Sequence, residues 1–277
     1  MTDASGGTAG ARRAGAASEY ANLKVEVADR IATITIDRIR KFNALNAETE
    51  AEIDRAVRAA IDSEEVAGIV VTGAGERAFC AGADIEMISG FTGAQAKEFA
   101  YDGQAVFRRI EMTPKPTVAA VNGLALGGGC ELALACHLRV ASENAVFALP
   151  EVTLGVIPGH GGTVRLPRVV GRGMALEMIL SGAKVDARRA YEIGLVNRVV
   201  PQPELLDACR RLLASILDKA PLAVRYALES TMRAETMSVD DALYLEATLF
   251  GMACGTEDMQ EGTRAFLEKR KPEFKRR

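Results

Sequence analysis

The chain has 277 residues, within reach of one α/β domain, with 48% hydrophobic and 26% charged residues, a balance that excludes disorder as the main state. The net charge of −3, from 34 basic and 37 acidic residues, argues against wholesale nucleic-acid binding, and no run of 18 apolar residues is present to cross a membrane as a helix. Five scattered cysteines read as reduced thiols of a cytoplasmic protein, and with His137 and His160 as the only histidines no histidine-built metal site is expected.

Residues 1–18 hold six Ala and four Gly without apolar periodicity. They are expected to form a disordered tail, because such a composition cannot offset the entropy of ordering. Ile31–Ile36 alternates β-branched residues as a strand does. Asn46 can cap a following helix with Ile53, Val57, Ala60 and Ile61 on one face. Ala67–Thr72 reads as an apolar strand of a sheet buried on both faces, Pro116–Val121 as another strand, and a further strand is expected near Leu138–Val140. Strand and helix alternate to about Val200, which gives an α/β core over 19–202. Residues 203–277 are helical, with segments at 203–219, 221–235, 239–253 and 256–268.

Two segments share one local design, a strand, a glycine turn and a helix start: Ala78–Ile85 and Asn122–Leu132, the second containing Gly127-Gly128-Gly129. Small residues there let backbone approach a ligand, and helix starts offer unpaired N–H groups. Two such turns face to face would form an oxyanion hole; taken singly they are tight turns where helices press on strands. Gly171-Arg172-Gly173 lacks the sixth-position Gly or Ala of a dinucleotide fingerprint and reads as a helix-capping turn. No phosphate-binding P-loop and no Gly-x-Ser-x-Gly nucleophile elbow is present. Glu131 and Glu151 sit among apolar neighbours, where a carboxylate either caps a helix or has its pKa raised toward general acid–base use.

In order and spacing, these segments identify the chain as similar to the crotonase, or enoyl-CoA hydratase/isomerase, superfamily. The resemblance runs from about Val25 to the last residues. It is carried by Asn43-Ala44-Leu45, Phe79–Ile85, Asn122-Gly123, Gly127–Ala133, Pro150–Gly159, Gly161-Gly162-Thr163 and Phe266–Lys271. It implies a spiral of ββα units completed by C-terminal helices that build a trimer or hexamer, and an acyl-coenzyme A thioester as substrate. Coenzyme A would be part of that substrate, with no separate cofactor and no metal. By the resemblance, the N–H groups of Ala83 and Gly128 meet the thioester oxygen and Gly159 helps orient a water. Glu131 takes the proton of that water and Glu151 protonates the α-carbon. Ala44, Ala81, Gly82 and Asp84 fall in the acyl-CoA-binding segments. Relatives that only shift a double bond usually keep the acid at the Glu151 position, so both acids together favour a hydratase over a Δ3,Δ2-enoyl-CoA isomerase.

The chain departs from the family pattern at several points. Glu86 stands where many hydratases carry a lysine near the coenzyme phosphates. Arg77, Arg40, Lys41 and, from a neighbouring subunit, Lys269 remain as candidate phosphate partners. Leu149 replaces a frequent glutamine, and His160 fills a variable position as a loop imidazole without a role. The C-terminal segment 269–277 carries six basic residues against one acid. RNA or anionic-surface binding through it is the alternative from another class.

Overall fold

The structure, a computed structural model, describes residues 20–275; the tail expected at 1–18, and Arg276 and Arg277, lie outside the described residues. β1 (Leu23–Ala28) and β2 (Ile31–Ile36) pair antiparallel across Asp29-Arg30, both at positive φ (50° and 65°), as a two-residue hairpin turn of matching twist requires. After a 3-10 turn, Ile39–Lys41, comes α1 (Ala47–Asp62), capped by the Asn46 side chain, which accepts from the Thr49 N–H at 2.9 Å. Ile53, Val57 and Ala60 face the core as their spacing predicts, but Glu50 and Glu52 are buried too. Glu52 accepts the N–H groups of Ala21 and Asn22 at 2.7 and 2.8 Å, whereas Glu50 turns toward the site described below.

From there the chain repeats one course. β3 (Gly68–Gly73) and β4 (Ala78–Cys80) lead into α2 (Ile85–Ile88) and α3 (Gly93–Glu111). β5 (Thr117–Val121) and β6 (Leu124–Leu126) lead into α4 (Gly128–Ala135). β7 (Leu138–Ser142) and β8 (Val146–Ala148) lead through a 3-10 turn, Glu151–Leu154, into α5 (Gly162–Val170) and α6 (Arg172–Ser181). β9 (Val185–Asp186), α7 (Ala187–Glu192) and β10 (Arg198–Val200) close the series. Each full turn lays one strand in a six-stranded sheet, order β1-β2-β3-β5-β7-β10, and one in a four-stranded sheet, order β4-β6-β8-β9. Pairing is parallel except for β1 with β2 and β8 with β9. This is the spiral of ββα units that the family resemblance implies. The turn at Gly171 joins two helices rather than a strand to a helix.

Every residue of β3 and β5 is buried, because the large sheet is covered on both faces. Val71, Ala119 and Val121 point into the main core, whereas Val70, Val118 and Ala120 meet Leu205, Cys209 and Leu213 of α8 (Leu205–Leu217). The remaining helices are α9 (Pro221–Ala234), α10 (Val239–Cys254) and α11 (Glu257–Leu267). They add little to that core: α9 buries no residue and α10 only Leu249. Val239, Leu243, Tyr244 and Phe250 of α10 and Phe266 and Leu267 of α11 are exposed. No helix among the described residues is long and apolar enough to cross a membrane. Cys80, Cys130, Cys136 and Cys209 are buried free thiols, and Cys254 is half-buried and free.

Candidate active site

Asn43 fixes one wall of the site. It is buried at φ 58°, accepts the Arg38 N–H at 3.0 Å, and donates to the carbonyls of Ala74 and Ala78 at 3.0 and 2.8 Å. This loop holds Leu45 beside Ala83 in an isolated parallel bridge. Leu45 donates to the Gly82 carbonyl and accepts from the Asp84 N–H, both at 2.7 Å. In a parallel bridge the residue between those two partners turns its own N–H to the opposite side. The Ala83 N–H therefore points away from Leu45 and finds no backbone acceptor among the described residues.

Across from it, β6 runs into Gly127-Gly128-Gly129 and α4. Gly127, at φ 51°, is the residue in the left-handed region, and its α-carbon lies against Glu151: a β-carbon there would stand 3.0 Å from Oε1. Gly129 is pressed on β4, since a β-carbon would come within 1.9 Å of the Cys80 carbonyl oxygen. Gly128 differs from both. As the first residue of α4 its N–H has no intrahelical partner, and a β-carbon on it would meet only ordinary contacts, 3.5 Å from Leu45 and 3.6 Å from the Ala83 nitrogen. Within the triple glycine the backbone conformation that favours glycine falls on Gly127, not on Gly128. The amides of Ala83 and Gly128 thus border one small space with unspent N–H donors.

Glu131, one turn into α4, is 1% exposed. Its Oε1 accepts the backbone N–H groups of His160 and Gly162 at 2.8 and 2.7 Å. Burial pushes its pKa up, opposed by the charge of His160 and by those two N–H bonds. Glu151, at the head of the 3-10 turn after β8, has a different environment: its Oε2 is buried without a hydrogen-bond partner among the described residues. Burial, reinforced by the charge of Glu131, pushes Glu151 up to about 7. The loop between them is pinned from outside. Gln104 donates to the Gly159 carbonyl at 2.7 Å and Arg165 to the His160 carbonyl at 2.7 Å, while Arg165 also forks onto Glu111 at 3.1 and 3.0 Å.

His160 corrects the expectation of a loop imidazole without a role. It is 5% exposed, and its Nε2 stands 3.0 Å from Glu50 Oε1. The pairing joins residues 110 positions apart, which no local pattern reveals. A signal did exist in Gly103, a glycine inside the 19-residue α3, where a β-carbon would come within 1.9 Å of the His160 ring. A glycine in a helix interior often marks such a close approach.

These groups open on a cleft of ≈ 300 Å³. Ala81, Gly82, Ala83 and Gly128 form its floor, Glu131, Glu151 and Gly159 one side, and His160 borders it as well. Its remaining wall is apolar, from Ile85, Ile88 and Phe91 on one flank and Leu154, Val156 and Ile157 on the other. The other expected binding residues lie outside this lining. Ala44 is buried with its carbonyl accepting from Arg38, and Asp84 pairs with Arg38 at 3.3 Å. Lys41 is held by Glu86 at 2.7 Å, and the Arg77 guanidinium lies over the Phe42 ring at 4.6 Å. Lys269 follows α11 at φ 56°. The basic C-terminal segment folds back on the helices: Arg270 forks onto Glu261 at 2.6 and 2.9 Å, and Lys271 pairs with Asp218 at 3.1 Å. Those cations are engaged within the chain.

Residues 26–277 match the sequence profile of the enoyl-CoA hydratase/isomerase family. The chain is 45% identical over 255 residues to a crotonyl-CoA hydratase of Syntrophomonas wolfei, covering 92% of this chain and 98% of that one. It is 43% identical over 260 residues to a short-chain-enoyl-CoA hydratase of Clostridium acetobutylicum, covering 94% and 100%. The fold superposes on the crystal structure of an enoyl-CoA hydratase from Bacillus anthracis with a TM-score of 0.88 at 36% identity, over 92% of this chain and 100% of that one. The chain belongs to the enoyl-CoA hydratase/isomerase family.

Proposed function

We propose that the protein is an enoyl-CoA hydratase, adding water across the double bond of a 2-enoyl-CoA thioester to give a 3-hydroxyacyl-CoA. The observation that carries this reading is the pairing of two unspent backbone N–H groups, Ala83 and Gly128, with two unlike buried carboxylates in one cleft. An α,β-unsaturated thioester is electrophilic at its β-carbon. Addition of water there moves negative charge onto the thioester oxygen, where two fixed dipoles stabilise the transition state more than the ground state. Glu131 takes the proton from the water, which Gly159 helps to place, while Glu151 delivers a proton to the α-carbon. The chemistry uses no cofactor beyond the coenzyme A carried by the substrate. The apolar cleft wall suits a hydrocarbon acyl chain, and Arg77, Arg40 and a neighbour's Lys269 are the cations offered to the coenzyme phosphates, since Lys41 is taken up by Glu86.

The direct test is a panel of enoyl-CoA thioesters followed by loss of conjugated absorbance. Crotonyl-CoA is expected to be hydrated, and isomerisation of a 3-enoyl-CoA without hydration would overturn the reading in favour of an isomerase. Glu131→Gln and Glu151→Gln are each expected to lower kcat by at least about 10²-fold while binding of an unreactive acyl-CoA changes far less.

The pair works with one proton on it, because water donates one to Glu131 as Glu151 gives one up. With Glu151 raised to about 7, that proton is present below the value and lost above it. Hydration kcat/KM is therefore expected to fall about tenfold per pH unit on the alkaline side of a limb near pH 7. Because the total protonation is the same on both sides of the reaction, dehydration of the 3-hydroxyacyl-CoA should show the same limb. A flat profile to pH 9 in both directions contradicts the assignment of Glu151.

Gly128→Ala separates donor from scaffold. Its methyl group has room in the fold but sits 3.6 Å from the Ala83 nitrogen, in the space meant for the thioester oxygen. The variant is expected to keep its circular dichroism and lose about 10²-fold or more in turnover, whereas Gly129→Ala, driven into the Cys80 carbonyl, should fail to fold. A folded and fully active Gly128→Ala would place the oxygen elsewhere.

The exposed apolar residues of α10 and α11 are too many for a solvent face. We assign them to contacts between copies of the chain in a trimer or hexamer, in which a neighbour's Lys269 can approach the coenzyme. Sedimentation at micromolar concentration should give one of these species, and an active monomer would exclude the assignment.

A further inference from the structure

The hydration reading leaves the buried His160 imidazole, which borders the cleft, unused. The His160 ring is packed between Phe99 and Phe107, with ring centroids at 5.1 and 5.2 Å, and fills the space that Gly103 leaves open. Its two nitrogens face two carboxylates: Nε2 lies 3.0 Å from Glu50 Oε1, and Nδ1 lies 3.9 Å from Glu131 Oε2. The surrounding elements contribute charge unequally. α1 presents Glu50, α4 presents Glu131 and the 3-10 turn presents Glu151, whereas α3 offers the two aromatic rings and the glycine. Arg165 of α5 reaches the His160 carbonyl rather than the ring, and its own charge is matched by Glu111. Glu50, Glu131 and Glu151 therefore surround one imidazole.

We propose that His160 is a positioning residue: its imidazolium, clamped by Glu50 and standing beside Glu131, is the counter-charge that keeps Glu131 a carboxylate while Glu151, whose buried Oε2 has no hydrogen-bond partner among the described residues, holds the pair's single proton. The inference rests on the hydration reading, since that reaction needs a base at Glu131 and an acid at Glu151. Two glutamates in one cleft would otherwise have no fixed division of labour. Geometry supplies it, because the ring stands beside Glu131 and its other nitrogen is anchored from behind by a third carboxylate. The charges act in the required sense at the ring, although burial still leaves Glu131 raised, less than it would be without His160. Burial works against a charged ring, but the Glu50 hydrogen bond and the charges of Glu50, Glu131 and Glu151 outweigh it and raise His160 above its ordinary value. In turn the His160 charge is the foremost influence opposing the burial of Glu131. A unit charge at such a distance, even at an effective dielectric constant of about 20, is worth more than one pKa unit.

The test reads charge states and rate on the same protein. In ligand-free wild type, ring ¹⁵N signals should show His160 protonated on both nitrogens across the pH range of maximal kcat/KM. The other histidine, His137, is driven by burial down to about 4, so the two are separable. His160→Gln should raise the carboxyl ¹³C titration midpoint of Glu131 by at least about one pH unit and carry the acid limb of kcat/KM upward with it. Glu50→Gln keeps an acceptor for Nε2 but removes the charge. It should lower the titration midpoint of His160 and move the acid limb upward, as His160→Gln does but by less, which preserves the test if His160→Gln does not fold. A neutral His160 on the activity plateau overturns the proposal, as does a folded His160→Gln with Glu131 midpoint and acid limb unmoved. Absence of hydration by the wild type would remove the roles of the glutamates, whereas the ligand-free carboxyl titration decides the counter-charge without any turnover.

Discussion

The site depends on the burial of the Glu131 carboxylate. At 1% exposure an ionised carboxylate is tolerable only if its oxygens are matched, and one of them takes two backbone N–H groups from the segment 160–162. That match ties α4 to the loop before α5 and fixes Gly159 and His160 relative to the triple glycine. The loop is then held from its outer side by Gln104 and by Arg165. The carboxylate is thus a structural clamp as well as the proposed base, and its removal would disturb both roles. For that reason Gln, which keeps an acceptor oxygen for the two N–H groups, is the informative replacement and Ala is not.

The spiral supplies the rest by repetition. Each turn ends a short strand of the smaller sheet and begins a helix at the same edge, so β4 and β6, which are parallel neighbours, deliver their glycine turns side by side. The proposed donors come from successive turns of this course, and Glu151 comes from the next, after β8. Backbone donors placed this way need no side chain and no reorganisation when charge develops. Their availability follows from the bridge of Leu45 with Ala83 on one side and from the helix start at Gly128 on the other, which are two unrelated reasons for an N–H to be unspent.

The core strands, the helix boundaries and the glycine segments were legible because each is written locally. β-Branched runs, the Asn46 cap and the four C-terminal helical stretches all report on neighbours within a few residues. Glu131 and Glu151 stood out because charge among apolar neighbours is conspicuous in one dimension. Three features were not legible. The Glu50–His160 pair spans 110 positions and involves a glutamate that also looks like an ordinary first-turn acid. The engagement of Lys41 by Glu86 removes a phosphate candidate through a contact between distant loops. The strain within the triple glycine falls on Gly127 rather than Gly128, and neighbouring glycines cannot be told apart without the backbone.

Glu131 and Glu151 are the same residue type in the same cleft, so their difference must come from what surrounds them. Glu131 has two N–H donors and an imidazole; Glu151 has a buried oxygen with nothing to accept from. In the proposed scheme the single proton sits on Glu151, whose ionised form lacks a hydrogen-bond donor at Oε2. An acid and a base then coexist at neutral pH without a metal or a covalent intermediate being required by the chemistry. In the proposed hydration the proton leaves Glu151 toward carbon as another arrives at Glu131 from water, and dehydration runs both transfers back. The two transfers therefore depend on one electrostatic gradient across the cleft. Gly103 belongs to the same gradient although it touches no substrate, because its missing side chain is what lets the imidazole stand at the end that Glu131 occupies.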